Sequence, residues 1–155
     1  MIKIKRIDHV AIAVGDRDAA GARLQGLFGL VEEAREHVVD QRADVLFLGC
    51  GQGRTPVPGA EAPTSIEVVA PAAQEPTNAG LQRFLDKRGA GLHHICFEVE
   101  DLEEALASLK AAGVPLIDEV PRPGARGHRV AFLHPAATGG VLFELCEPAH
   151  AGSPA

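Results

Sequence analysis

The chain has 155 residues, 46% of them apolar, which is enough to bury the core of one compact unit or two small modules and too apolar for a disordered chain. A formal charge of −6 and the absence of Trp and Tyr argue against a nucleic-acid surface, and no apolar run is long enough to span a bilayer. Cys50, Cys96 and Cys146 are odd in number and widely spaced, and no apolar leader precedes Ile4, so a reduced, cytoplasmic setting is the expectation.

In chain order, Ile4 to Val14 alternates as a strand, with His9, Ala11 and Ala13 on one face and Val10, Ile12 and Val14 on the other. Asp16 or Asp18 caps a helix that runs to about Leu27 and stops at Gly29. Strands near Val31–Val39, Asp44–Leu48 and Ser65–Val69 complete a first module over residues 1–75. Gly49 to Pro63, rich in Gly and Pro, reads as a surface loop at the mouth of a cavity. Residues 76–90 carry a linking helix, Asn78 to Lys87, with Leu81, Phe84 and Leu85 on its buried side.

A second module over residues 91–148 opens with a strand that sets His94, Cys96 and Glu98 opposite Ile95, Phe97 and Val99. Asp101 caps a helix from Leu102 to Ala112, striped by Leu102, Leu106 and Leu109, and Gly113 and Pro115 end it. Strands follow near Leu116–Glu119, Arg129–Leu133 and Val141–Cys146, and residues 149–155 form a flexible tail. The expected fold is therefore α+β: two tandem βαβββ modules whose mixed sheet curves around a metal-binding cavity.

The two modules share a short pattern. Asp8-His9-Val10-Ala11-Ile12-Ala13-Val14, closed by Asp16, reappears as His93-His94-Ile95-Cys96-Phe97-Glu98-Val99, closed by Asp101. Glu67-Val68-Val69-Ala70-Pro71 returns as Glu144-Leu145-Cys146-Glu147-Pro148, so each half opens on a histidine strand and closes on a glutamate strand. Duplication of a metal half-site is the simplest reading, with His9, Glu67, His94 and Glu144 as an N/O ligand set for a divalent ion. A single strand histidine is more often a core or surface residue than a ligand, and it is the repetition that reverses those odds. Alternation puts His93 on the face opposite His94, so the repeat selects His94. His37, His128 and His134 read as ordinary loop or edge residues, and Cys96 as packing. The glycine turns Pro123–Gly127 and Thr138–Gly140 fit no P-loop.

Three segments carry a family resemblance: Ile7 to Val14, Gly91 to Val99, and the long stretch from Arg122-Pro123-Gly124 through Phe132-Leu133-His134-Pro135 to Gly139-Gly140-Val141-Leu142-Phe143-Glu144-Leu145. Together they resemble the vicinal oxygen chelate superfamily, whose members pair βαββ-type modules around a metal. Within it they are most similar to the epimerases of methylmalonyl-CoA. The resemblance implies metal ligation by His9, His94 and Glu144, with Glu67 at the remaining ligand position. It also implies proton abstraction and return at the acidic carbon of an acyl-CoA thioester through a metal-stabilised enolate, with carboxylates on opposite faces. Glu144 looks like one such base. The other is expected on the strand before Val45-Leu46-Phe47-Leu48, where relatives carry Glu and this chain reads Asp40-Gln41-Arg42, with Asp40 one methylene shorter.

The resemblance leaves the ion open among Co, Mn, Ni, Zn and Mg. A homodimer is expected, since relatives are often dimers and curved open sheets have edges to cover. The competing readings are a lyase of the glyoxalase I type and a metal-free small-molecule binding protein. Retention of all four ligand residues argues against the latter, because clustered buried carboxylates are costly without a cation.

Overall fold

Helix boundaries follow from a few polar caps. Asp16, in extended conformation, accepts from Ala19 N at 2.9 Å and starts helix α1, Arg17–Phe28, and Gly29 ends it at φ 66°. The same device recurs one module later. Asp101 accepts from Glu104 N at 2.8 Å and starts α3, Leu102–Ala111. Between them Asn78 caps α2, Ala79–Arg88, accepting from Leu81 N at 2.9 Å. The computed structural model describes residues 2–49, 63–73 and 78–149. Cys50, most of the Gly49–Pro63 stretch and the tail beyond residue 149 lie outside the described residues. No helix among the described residues is long and apolar enough to cross a membrane.

The chain divides into two units, His9–His93 and Met1–Asp8 with His94–Ala155. In the first, β1 (Ile4–Ala13, from His9 onward), β2 (Val31–Val38), β3 (Ala43–Gly49) and β4 (Ser65–Pro71) lie in the order β2-β3-β4-β1. The β1–β4 pair is parallel and the other two are antiparallel. In the second, β5 (Gly91–Val99), β6 (Arg122–Pro123), β7 (Arg129–Leu133) and β8 (Leu142–Glu147) lie in the order β6-β7-β8-β5. Again the first and last strands of the module, β5 and β8, pair in parallel and the rest are antiparallel. Two tandem βαβββ modules of an α+β fold are thus present.

Each sheet buries one face against a helix. Ile12, Val14, Leu46, Leu48, Val68 and Ala70 pack with Ala20 and Leu24 of α1, and Gly21 lets the helix approach so closely that a Cβ there would strike the Leu46 side chain. In the second unit Val99, Ala131, Leu133 and Leu145 pack with Leu102, Ala105 and Leu106, and Leu109 joins from the end of the same stripe. With the apolar faces spent on helices, the residues of alternate parity are left for the opposite face.

The strand expected at Leu116–Glu119 is not formed. Leu116 makes one isolated bridge to Leu133, and the N–H groups of Ile117 and Asp118 both turn to Phe132 O. The Asp118 carboxylate itself takes the Phe132 N–H at 2.8 Å, replacing the ladder with a side-chain bond. The edge strand is instead the two-residue β6, in register with Arg129 and Val130.

The beginning of β1 is tied into the second unit by charge. Glu98, on β5, accepts from Lys5 Nζ and from Arg6 Nε, both at 2.7 Å. Burial raises the Glu98 carboxyl, and the bonds from the two cations outweigh it, holding it below the usual carboxylate range. Its stabilisation is therefore fully present above the ordinary carboxylate pKa and is lost as pH falls through the depressed value. Glu98→Gln is expected to cost about 2 kcal/mol at neutral pH, with the gap to wild type narrowing below about pH 4. Chemical denaturation of both proteins across that range measures it, and a gap independent of pH would count against the charge assignment.

Candidate metal and active site

Strand register decides which side chains meet. In the first unit Glu67 of β4 lies between Ala11 of β1 and Phe47 of β3, and Ser65 lies opposite His9, so these residues share one sheet face. On it His9 Nε2 comes to 3.5 Å from Glu67 Oε2, and both residues are 5% exposed. The Phe47 ring stands edge-on to the His9 ring, 5.3 Å between centroids at 84°.

The second unit repeats this arrangement residue for residue. Glu144 of β8 lies between Cys96 of β5 and Phe132 of β7. His94 Nε2 and Glu144 Oε2 are 3.1 Å apart and buried, and Phe132 stands edge-on to His94 at 5.2 Å and 85°. Each unit therefore offers one imidazole nitrogen and one carboxylate oxygen, turned toward each other and oriented by an aromatic edge. Imidazole nitrogen and carboxylate oxygen are donor types suited to a borderline divalent cation.

Two other expected residues sit elsewhere. His93 points away from the pair, its ring edge-on to Phe84 of α2 at 4.9 Å. Asp40 is exposed and lies not on a strand but in a short 3-10 turn, Val39–Gln41, between β2 and β3. That turn is held by Asn78 Nδ2, which donates to Gln41 O at 2.7 Å, and by Ala72 N, which donates to Arg42 O at 3.0 Å. Arg42 closes it at φ 50°, a left-handed conformation unusual for a residue with a Cβ. No described contact joins Asp40 to His9 or Glu67.

Several residues escaped the pattern reading. Phe47 and Phe132 are one repeat pair, because Phe47 stands as far beyond His9 in the chain as Phe132 stands beyond His94, a signal present in the sequence. Asp8, which looked like part of a strand motif, is fully buried and accepts from Arg6 Nη2 at 2.5 Å and from Arg126. That pairing fixes the Ala125–Gly127 turn, where Arg126 is left-handed at φ 57°. His128 is half-buried beside Cys146 and Asp8, with donor atoms of the three within 4.8 Å of one another. The Cys146 thiol is pulled below the usual thiol range by hydrogen bonds from Cys96 and His128, whereas burial pushes Cys96 up. His134 is exposed, its ring accepting from Ala136 N at 3.1 Å, and exposed His37 pairs with Asp44 at 2.8 Å.

Residues 8–132 match the model of the glyoxalase/bleomycin resistance protein/dioxygenase superfamily. The chain belongs to that superfamily. Among its relatives, an ethylmalonyl-CoA/methylmalonyl-CoA epimerase of Cereibacter sphaeroides is 38% identical over 144 residues, covering 92% of this chain and 97% of that protein. The human mitochondrial methylmalonyl-CoA epimerase is 34% identical over 141 residues, 90% of this chain and 72% of that one. A solved structure of a Streptomyces coelicolor methylmalonyl-CoA epimerase variant in complex with 2-nitronate-propionyl-CoA aligns with a TM-score of 0.84 at 28% identity, covering 98% of this chain and 100% of that one. The eight strands and three α-helices among the described residues of this chain thus follow the fold of superfamily epimerases.

If the aromatic edges orient the histidines, Phe132→Leu is expected to lower stability by about 1 kcal/mol while preserving the fold. It is also expected to shift the ring resonances of His94. NMR of the imidazole protons checks this, and resonances unchanged from wild type would remove the orienting role.

Proposed function

We propose that the protein is a metal-dependent epimerase of a 2-methylmalonyl-CoA-like acyl-CoA thioester, an isomerase that removes and returns the proton on the carbon between thioester and carboxylate. The observation that carries this reading is the doubled buried His–Glu pair, in a chain whose superfamily relatives include methylmalonyl-CoA epimerases. A further solved relative, a methylmalonyl-CoA epimerase in complex with methylmalonyl-CoA, aligns over 98% of this chain, which supports a thioester ligand.

His9, Glu67, His94 and Glu144 would hold the divalent cation. The donors fit it: two imidazoles and two carboxylates, each His–Glu pair buried with Nε2 and Oε2 turned to one another. When bound, the cation supplies positive charge to the thioester and carboxylate oxygens, where negative charge develops as the proton leaves. Co, Mn, Ni, Zn and Mg all suit such a set. Glu144 takes and returns the proton on one face of the substrate carbon, and Asp40 serves the other. Asp40 is carried on an exposed 3-10 turn, and in this reading its shorter side chain depends on that turn for reach to the substrate carbon.

The same reading includes a homodimer in the cytoplasm. Among the described residues, strand β2 ends its sheet with one edge unpaired, Leu27, Phe28 and its own Val31 are exposed, and a second copy would cover that edge. The buried Cys96 and Cys146 thiols are free, in keeping with a reducing compartment. Light scattering at micromolar concentration is expected to give twice the chain mass.

His9→Ala and His94→Ala are each expected to lower metal affinity by roughly a hundredfold or more, whereas His93→Ala leaves it intact. Metal analysis after dialysis reads this directly, and equal loss in all three would discard the repeat-based ligand set. Stripping the metal with EDTA is expected to lower the melting temperature by mass action. Asp40→Asn is expected to cut α-proton exchange of methylmalonyl-CoA in deuterated water by about 100-fold to 10000-fold with metal content unchanged. Exchange at the wild-type rate would assign the second face to another group. Wild-type protein loaded with Co or Mn that exchanges no α-proton would turn attention to a glyoxalase I-type lyase or a binding protein.

A further inference from the structure

The geometry points to Arg122 as the residue that recognises an anionic group, a carboxylate or a phosphate, of the ligand bound against His94 and Glu144. This rests on the thioester reading above and names the side chain that meets the ligand's charge. Register supplies the placement: Arg122 is the partner of Val130, and Phe132, two residues on, is the partner of Glu144. Arg122, Val130, Phe132 and Glu144 therefore project from one face of β6, β7 and β8. On that face the Arg122 guanidinium lies over the Phe132 ring, 5.3 Å from its centroid, and the same ring stands edge-on to His94 at 5.2 Å. One aromatic ring separates the cation from the His94–Glu144 pair.

The bonding of neighbouring arginines singles it out. Arg126 is committed to the fully buried Asp8, and Arg129 uses one terminal nitrogen on Glu103 and the other on Glu147. Arg122 differs: its Nε is in an ion pair, 3.1 Å from Asp118 Oδ2, without a hydrogen bond, and its side chain is 30% exposed. Its two terminal nitrogens donate no hydrogen bond to the described residues, so the fork that grips a carboxylate or phosphate is presented to a ligand. A chain of net charge −6, with Glu144 buried on this face, repels an anionic ligand unless a local cation offsets that field. Stacking on Phe132 and anchoring by Asp118 keep the guanidinium in place before the ligand arrives, which lowers the ordering cost of binding.

The test uses metal-loaded full-length protein, Arg122→Gln and Arg122→Lys, with titration calorimetry of three probes. Methylmalonyl-CoA carries both kinds of anion, propionyl-CoA lacks the carboxylate, and methylmalonyl-pantetheine lacks the nucleotide phosphates. Arg122→Gln is expected to bind methylmalonyl-CoA roughly tenfold to a hundredfold more weakly, with Arg122→Lys recovering part of the loss. In turnover the loss is expected in KM, with kcat within about twofold of wild type. A loss that persists with methylmalonyl-pantetheine assigns the carboxylate, and one that persists with propionyl-CoA assigns the phosphates. Equal affinity of wild type and Arg122→Gln for all three probes overturns the proposal. Because calorimetry needs no turnover, Arg122-dependent binding without α-proton exchange would sustain this inference while overturning the epimerase reading. Wild-type protein that binds none of the probes would overturn both.

Discussion

A carboxylate buried on a sheet face is the constraint around which each module is built. Glu67 and Glu144 are taken out of water, a loss that only a nearby donor or cation can offset, and each has an imidazole at hydrogen-bond or ion-pair distance. The rest of the face serves that pair. A phenylalanine from the next strand supplies an aromatic edge to the imidazole, and small residues, Ala11 and Cys96, occupy the cross-strand position beside the glutamate. Helices α1 and α3 seal the opposite faces, so the apolar driving force for folding and the polar face that binds are kept on separate sides of each sheet.

A second set of buried charges serves the scaffold. Glu98 and Asp8 are both deeply buried, and Arg6 bridges them by donating Nε to one and Nη2 to the other. Lys5 and Arg126 complete a chain of alternating charge that ties the first strand to β5 and to the turn before β7. Breaking one link leaves a charge without compensation in a poorly solvated place, which makes the network intolerant of single substitutions. Asp8, one of its two buried carboxylates, directly precedes His9 in the sequence.

Functionally, the two modules are equal in their His–Glu pairs and unequal in what surrounds them. The second has Arg122, Phe132 and His94 in a row on one face, and at the corresponding edge of the first is β2, whose Ala34 and Glu36 are in register with Phe47 and Val45. Under the proposed epimerase reading, a substrate with a reacting acyl end and a charged carrier would need asymmetric recognition, and Arg122 on the face of the second module would supply it.

The sequence by itself determined the modular plan and the two His–Glu pairs. Alternation marked the two faces of β1 and β5, Asp16 and Asp101 marked the helix starts, and the recurrence of His9 and Glu67 as His94 and Glu144 marked the two His–Glu pairs, because each depends on local period or on repetition that a linear reading can see. Register was needed for the rest. Nothing local shows that Arg6 joins Asp8 to Glu98 or that Arg126 reaches back to Asp8, since those contacts link segments far apart in the chain. The strand expected at Leu116–Glu119 failed because the Asp118 side chain and a shared carbonyl at Phe132 replaced the backbone ladder, a choice made only when β7 is alongside. Likewise Asp40 sits in a turn and not on a strand, because Asn78 and Ala72, distant in sequence, pin the backbone of Gln41 and Arg42. Periodicity sets which face a residue takes, and tertiary pairing sets which partner it finds there.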